Sequence, residues 1–424
     1  MESLKRNIDK SNLYTEAARC LSCYDPPCQK ACPASVPVPA FIRALLSGNT
    51  DYADEIVREA NPMISTCGEV CPAEDYCMKV CTRNQLDRPV EIRLLHKFAT
   101  DYGEFVGHKA VSDSGFNPEL AGKKIAIVGA GPAGLSCAVS LKSAGASVTV
   151  YEKSGNLGGV PHNEIPESRL PRENLGDDLQ AISSLDIRLE MDIEIGNPEQ
   201  LLGSFDAVFL SSGLPTEKRL NVPGEDHIQV YRVLEFLRRA KSSPDQIRVG
   251  ERVVVVGGGN VSLDAACAAY RLGAKEVHLL YRRGVKEMKV WESELREATE
   301  LGVMVHFLTF PKEFMIKDSR LRAVLCGRNQ LSDEIDASGR RKPIPLDGFD
   351  FTLPGDSAVV AIGLNPDGKM AKYISDRVEG YRSKVRAIFL GGDIATGEGT
   401  IVEAVRQGKE AAQAINAFLK DGQW

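Results

Sequence analysis

Residues 125–134 read Ile125-Ala-Ile-Val-Gly129-Ala-Gly131-Pro-Ala-Gly134: an apolar strand, three glycines spaced G-x-G-x-x-G, and the start of an Ala-rich helix. The first glycine permits the tight turn, the second lets the backbone approach a pyrophosphate, and the third allows close helix–strand packing. A second strand, Val148-Thr-Val-Tyr151, ends at Glu152, where an acid that accepts hydrogen bonds from a ribose is expected. The stretch predicts an α/β dinucleotide-binding domain.

The pattern recurs downstream as Arg252-Val-Val-Val-Val-Gly257-Gly-Gly259-Asn-Val-Ser262, with a helix to about Leu272 and a strand Val277–Tyr281. Ser262 replaces the third glycine, and Arg282-Arg283 replaces the ribose-binding acid. Guanidinium forks suit a phosphate better than a hydroxyl, which predicts NADPH, with NADH possible. A solvated strand end is the plainer reading of the arginine pair. Near the C-terminus, Ala387-Ile-Phe-Leu-Gly391-Gly392-Asp393 precedes Thr400-Ile401 at the start of a helix to Leu419. Such an aspartate can hold a ribitol hydroxyl, and a helix N-terminus can stabilise charge on a reduced flavin. Runs Ala207–Leu210 and Ala358–Ile362 read as further strands, and Arg340–Gly348 as an exposed loop.

Upstream lie eight of the eleven cysteines, as two quartets: Cys20, Cys23, Cys28, Cys32 and Cys67, Cys71, Cys77, Cys81. The first, C-x2-C-x4-C-x3-C-P, is ferredoxin-like, and in ferredoxins the cysteine before proline serves the other cluster. Cys20, Cys23 and Cys28 would then take a fourth ligand from the second quartet, and Cys32 would join partners there. Two structural zinc sites are the alternative. Cys137, Cys267 and Cys326 sit in apolar or helical contexts and read as buried small hydrophobes, which argues against a dithiol relay. Around the quartets, apolar stretches at Ala40–Leu46, Ala53–Ala60 and Ile92–Phe105 suggest helices. Pro26, Pro27, Pro33, Pro37, Pro39, Pro62 and Pro72 suggest pieces too short for a conventional core.

With 424 residues, 43% hydrophobic and 26% charged, the chain has ample core for two or three domains. A net charge of −6 leaves no electrostatic footprint for nucleic acid. No apolar run reaches the ~18 residues of a membrane span, and the polar N-terminus lacks a signal-peptide pattern, so a cytoplasmic location is expected. No nucleophile–base pair or hydrolase motif is found. No catalytic side chain is expected, because cofactors would carry the chemistry.

The whole chain resembles the NAD(P)H-oxidising flavin and iron–sulfur module of dihydropyrimidine dehydrogenase, its separate bacterial subunit, and the glutamate synthase small subunit. Carrying the likeness are Cys20-Leu-Ser-Cys23-x4-Cys28-Gln-Lys-Ala-Cys32-Pro33, Cys67-Gly-Glu-Val-Cys71-Pro72, Gly129–Gly134, Ile165-Pro166-x-x-Arg169-Leu170-Pro171, Gly257-Gly-Gly-Asn-Val, Tyr281-Arg-Arg283 and Gly391-Gly-Asp393. Pro27-Cys28-Gln-Lys-Ala-Cys32 is closer to dihydropyrimidine dehydrogenase than to most glutamate synthase small subunits.

The resemblance implies an N-terminal all-helical bis-[4Fe–4S] domain over residues 1–118. Two Rossmann-like, glutathione-reductase-like domains would follow: FAD-binding at 119–227 and 350–424, with an NAD(P)H-binding domain at 228–349 inserted. It implies FAD on Gly129, Gly131, Pro132, Ala133, Gly134, Glu152, Lys153, Gly159, Arg169, Gly392, Asp393, Thr400 and Ile401. NADPH would lie on Gly257, Gly258, Gly259, Asn260, Val261, Arg282 and Arg283. By family pattern Cys20, Cys23, Cys28 and Cys81 hold one [4Fe–4S] cluster, and Cys32, Cys71 and Cys77 three corners of the other. His96 stands where dihydropyrimidine dehydrogenase has a ligating glutamine, and Cys67 matches a family cysteine that is not a ligand.

The chain stops at Trp424, so a separate FMN-containing, pyrimidine-reducing barrel is the expected partner in a hetero-oligomer. Service to a glutamate synthase large subunit or to a bifurcating NAD(P)H:ferredoxin complex, or a role as a non-catalytic assembly scaffold, are the alternatives. Four positions depart from the relatives: Glu164 for a glycine beside the flavin, Leu364 for a glutamine, and Lys289-Val290 for Pro-Ala.

Overall fold

The computed structural model describes residues 8–103, 119–374, 380–422 and 424. They form two compact units, Met1–His162 with Ser168–Leu214 and Pro366–Trp424, and Asn163–Glu167 with Pro215–Asn365.

The first unit opens with six helices: α1 (Leu13–Ala17), α2 (Pro27–Ala31), α3 (Val38–Leu46), α4 (Thr50–Ala60), α5 (Ile64–Val70) and α6 (Ile92–Tyr102). The expected extension of the last to Phe105 lies outside the described residues. Phe41, Ile42, Leu45, Val57, Met63, Ile64, Ile92 and Leu95 are all buried. This overturns the expectation that the proline-cut pieces are too short for a core. Pro27 and Pro39 fall in the first turns of α2 and α3, where the missing N–H has no intrahelical partner to lose, so they start helices rather than break them.

The chain continues through β1 (Lys124–Val128), α7 (Pro132–Ser143), β2 (Ser147–Tyr151), α8 (Val160–Asn163), α9 (Arg172–Ser183), β3 (Arg188–Glu190) and β4 (Ala207–Leu210). The second unit then supplies β5 (Thr216–Glu217), β6 (Val230–Arg232), α10 (Val233–Ser242), β7 (Arg252–Gly257), α11 (Asn260–Arg271), β8 (Glu276–Tyr281), α12 (Glu292–Glu300) and β9 (Met304–Phe307). It closes with β10 (Thr309–Lys317), β11 (Arg320–Ile335), β12 (Arg341–Pro354), β13 (Ser357–Ala361) and β14 (Leu364–Asn365). Returning to the first unit come α13 (Gly368–Ala371), β15 (Ile388–Leu390), α14 (Asp393–Thr396) and α15 (Ile401–Asp421).

Each unit holds a five-stranded parallel sheet, ordered β15-β4-β1-β2-β3 in the first and β6-β13-β7-β8-β9 in the second. Ile125–Ile127 and Val253–Val255 are fully buried, as strands covered on both faces must be. The strand order reverses beside β1 and β7, and in such sheets ligands bind outside the carboxyl ends of the strands at that point. Both glycine loops follow those two strands.

A three-stranded antiparallel sheet, β10-β11-β12, completes the second unit. Its last strand corrects the reading of Arg340–Gly348 as a loop: Pro343, Pro345 and Leu346 pair with Leu331, Asn329 and Arg328 of β11. The strand is largely exposed and carries prolines, so it lacks an apolar alternation. As an edge strand it tolerates both.

Helix α15 lies against α7 at backbone distance. A Cβ at Gly408 would meet the Ala133 carbonyl oxygen at 2.2 Å, and Ser136 Oγ donates to the Val405 carbonyl at 3.0 Å. The close approach brings the second turn of α15 against the start of α7, directly after the first glycine loop. Among the described residues no helix is long and apolar enough to cross a membrane.

Candidate cofactor sites

The three glycines after β1 differ in what surrounds them. Gly129 has φ +103°, and a Cβ there would stand 2.6 Å from the Ser211 carbonyl oxygen. At Gly134 a Cβ would lie 2.0 Å from the Gly129 carbonyl oxygen, whereas at Gly131 nothing comes within 4 Å. Turn, packing and open approach are therefore divided among them as a pyrophosphate cradle requires. Pro132 and Ala133 begin α7, whose first-turn N–H groups have no intrahelical acceptor.

Glu152 is buried at the end of β2, accepting from the Ala130 N–H at 2.8 Å and from the Ser154 N–H and hydroxyl at 2.9 and 3.0 Å. An ionised carboxylate has about four acceptor positions, so it braces the loop and keeps capacity for a ribose hydroxyl. Gly159, at φ +60°, would bring a Cβ to 3.0 Å from the Gly131 Cα. Lys153 is exposed and Arg169 half-buried.

Across the loop, Gly392 has φ +73° and would place a Cβ 3.0 Å from that of Ala133. Asp393 follows it, largely buried, and burial, then the charges of Glu398 and Glu403, push its carboxyl up to about 6. Thr400 caps α15 in a reciprocal box with Glu403, and Ile401 opens the helix. Two positioning residues escaped sequence reading. Ser211 donates to the Val128 and Gly129 carbonyls, and Gln407 accepts from the Gly392 N–H at 2.8 Å while donating to Thr396. The position of Ser211 directly after a buried strand was the available signal. Gln407 had none, being a polar residue inside a helix.

The cysteines regroup across the quartets. Cys20, Cys23, Cys28 and Cys81 line one cavity, with Pro27, Ile42 and Thr82. Cys32, Cys67, Cys71, Cys77 and His96 line the other, with Tyr76, Arg93 and Val402. Burial and then the charge of Cys81 push the Cys28 thiol up to about 12, and burial and then Cys32 raise that of Cys77. All eleven cysteines are free thiols.

Among the described residues no three His, Cys, Asp or Glu side chains converge on one ion-sized point. A zinc site would need four ligands at about 2.1–2.3 Å from a single ion. Thiols distributed around a cavity are a donor set that a polynuclear iron–sulfur cluster would fit. His96 adds an observation of its own. It is 7% exposed, its Nε2 has no hydrogen-bond partner, and burial holds its imidazole down at about 3, hence neutral and able to ligate. Cys67 is equally enclosed, its thiol raised by burial and hydrogen-bonded with Asn61.

The second cavity adjoins α15 through Val402, the second residue of that helix. The Tyr76 hydroxyl stands 3.3 Å from Thr400 Oγ1, and Lys409 Nζ donates to the Ala34 and Ala60 carbonyls at 3.3 and 2.7 Å. These ties went unseen because they join residues more than 300 positions apart.

In the second unit, Gly259 is open, while Cβ atoms at Gly257 and Gly258 would strike the Ala361 carbonyl (2.4 Å) and the Tyr281 ring (2.1 Å). Asn260 and Val261 begin α11, and Asn260 Oδ1 accepts from the Trp291 N–H. Lys289 bridges Gly259. Arg282 is exposed, but Arg283 is 2% exposed and already ion-paired with Asp336. Glu164 belongs to this unit, buried, with Oε1 accepting from Arg238 Nε at 2.5 Å.

Comparison with known proteins adds identity to this geometry. Residues 123–408 match the family model for pyridine nucleotide-disulphide oxidoreductases, and residues 1–107 that for dihydropyrimidine dehydrogenase domain II, 4Fe-4S cluster. The beta subunit of the NADP(+)-dependent formate dehydrogenase of Moorella thermoacetica is 36% identical over 93% of this chain, which spans 60% of that subunit. The NAD-dependent dihydropyrimidine dehydrogenase subunit PreT of Escherichia coli is 32% identical over 96% of this chain and 94% of PreT. FprA of Mycobacterium tuberculosis shares the fold with a TM-score of 0.62 at 21% identity, over 71% of this chain and 85% of that one.

Proposed function

We propose a function from one premise: this chain belongs to the pyridine nucleotide-disulphide oxidoreductase family, and is homologous to the bacterial dihydropyrimidine dehydrogenase subunit PreT. It is an NAD(P)H-dependent oxidoreductase that takes electrons from the nicotinamide by way of FAD. The finer reading is that it serves as the electron-input subunit of a hetero-oligomer, feeding a pyrimidine-reducing FMN partner through two [4Fe–4S] clusters.

The observation that carries it is Val402: the second residue of α15, just past the Thr400 cap, lines the same cavity as Cys32, Cys71 and Cys77. When bound, the flavin would accept a hydride and release its electrons singly to the clusters. This chain's side chains have positioning work. Glu152 and Asp393 would hold the cofactor's ribose and ribitol hydroxyls, and the N-terminus of α15 would face negative charge on the ring. Cys20, Cys23, Cys28 and Cys81 would hold the cluster further from α15, and Cys32, Cys71, Cys77 and His96 the nearer one. Leu21 and Tyr24, exposed beside Cys20 and Cys23, suit the face where a partner docks.

Reconstituted protein is expected to show its flavin absorbance bleached by NADPH under anaerobic conditions. No bleaching by either nicotinamide would overturn the reading in favour of a scaffold. The Moorella relative favours a second reading, in which the partner is a formate-oxidising subunit and this chain delivers electrons to NADP(+). The activity of the copurifying subunit, pyrimidine reduction or formate oxidation, separates the two.

For His96, the expected result of His96→Ala is an altered electron paramagnetic resonance signal and a lower iron content of one cluster, since alanine supplies no donor for that corner. Unchanged iron content and spectra would remove it as a ligand.

A further inference from the structure

Arg282 and Arg283 follow β8 directly, and their surroundings differ: Arg282 is exposed and Arg283 is buried. Arg283 turns inward. Its Nη2 pairs with Asp336 and its Nε donates to the Arg341 carbonyl at 3.0 Å, so it clamps the β11–β12 turn to the end of β8. A guanidinium that is 2% exposed and already paired is spent.

The clamped turn delivers another cation. Arg340 Nη1 lies 3.4 Å from the Tyr281 hydroxyl and 3.3 Å from the Glu287 carbonyl oxygen, and its Nε donates to Ser338 Oγ at 2.9 Å. Tyr281 is the residue whose ring packs beneath Gly258 of the glycine loop. Arg340 is thus tied to the floor of that loop by a side chain from a different sheet.

Arg282 has no side-chain hydrogen bond or ion pair among the described residues, and the charges of Arg283 and Arg340, after burial, depress its pKa. Two carboxylates, Asp336 with Arg283 and Glu287 with Arg341, offset two of the four guanidiniums here. The positive charge left over sits on Arg282 and Arg340. That matches a phosphate monoester, which carries about −1.5 to −2 at neutral pH.

We propose that Arg282 and Arg340 together form the anion site for the 2′-phosphate of NADPH, with Arg283 a positioning residue that holds the β11–β12 turn in place. The assignment rests on the reading that loop Gly257–Ser262 binds a nicotinamide coenzyme. It moves the second phosphate contact from strand end to turn.

The test uses the full chain loaded with FAD, with NADPH and NADH compared in flavin reduction and adenosine 2′,5′-bisphosphate as the binding probe. Arg340→Ala should raise the KM for NADPH about 10- to 100-fold, as expected for loss of a charge-assisted contact, leaving kcat and the KM for NADH within about twofold. Arg340→Lys should recover part of the loss, and Arg282→Ala, which leaves the turn intact, should reproduce it. The probe should bind wild type and not Arg340→Ala. NADPH and NADH constants moving together, or an NADPH constant unmoved in Arg340→Ala, would overturn the assignment. Neither coenzyme reducing the wild-type flavin would instead overturn the underlying coenzyme reading.

Discussion

Replacing Cys81 with serine is expected to remove the same share of bound iron and acid-labile sulfide, roughly half, as replacing Cys20. Cys81 lies 61 positions from Cys20 but lines the same cavity. A Cys20→Ser/Cys81→Ser double variant should therefore lose no more than either single one. Cys32→Ser, although Cys32 belongs to the first quartet, should remove the other half, and Cys20→Ser/Cys32→Ser should remove nearly all. Cys67→Ala should retain the full complement, since His96 would complete the second set. Iron and sulfide determinations, with paramagnetic resonance of the reduced protein to tell the clusters apart, check each step. Loss of iron by quartet, Cys81 behaving with Cys71 and Cys77, would sink the crossed assignment.

Asp178→Ala is expected to give the largest loss of stability. Arg58 and Asp178 are buried, 3.2 Å apart, and Arg58 also donates to Asp54 at 2.8 Å. Asp178 further accepts from the Ser65 and Thr66 N–H groups at 3.0 and 2.7 Å. This network fastens α9, which precedes β3 of the first unit's parallel sheet, to α4 and α5 of the helical segment. Removing one partner of a buried ion pair typically costs about 3–5 kcal/mol, because the other charge stays buried. Asp178→Asn, which keeps an acceptor, should cost less. The readout is the midpoint of the first denaturation transition, since a multi-domain cofactor protein need not unfold in one step.

The same carboxyl sets a pH dependence. Burial pushes Asp178 up to about 7, against the opposing pull of Arg58 and the Thr66 and Ser65 amides. The folded protein then binds this proton more tightly than the unfolded chain, whose value is 3.8. Its contribution to stability is fully present below 3.8 and is lost as pH rises through about 7. Asp54, raised to about 6 chiefly by burial, acts in the same direction. Asp178→Asn should flatten the slope of stability against pH across that window. An unchanged slope would show that Asp178 titrates normally.

What could be read in sequence was local. The strand-turn-helix at Ile125–Gly134 and its recurrence at Arg252–Ser262 need only contiguous residues, since alternation, glycine spacing and strand length act over about ten positions. The regrouping of the cysteines was expected only through ferredoxin-like spacing and family likeness; one cavity groups Cys81 with Cys20, Cys23 and Cys28, and the other seats Cys67, no ligand by family pattern, with Cys32, Cys71 and Cys77. The helical core was missed because prolines were read as interruptions, although at a first turn they cost a helix nothing.

By itself, then, the sequence determined the two dinucleotide loops, the thiol inventory and the α/β class, because these follow from short-range backbone geometry and residue chemistry. Tertiary structure alone decided which arginine is free. Arg282 and Arg283 are neighbours of one residue type, and only the return of β11 and β12 buries one on Asp336 while bringing Arg340 to Tyr281, the residue before the other. Availability of a charge depends on what surrounds it in space, and here the surroundings come from residues more than 50 positions away.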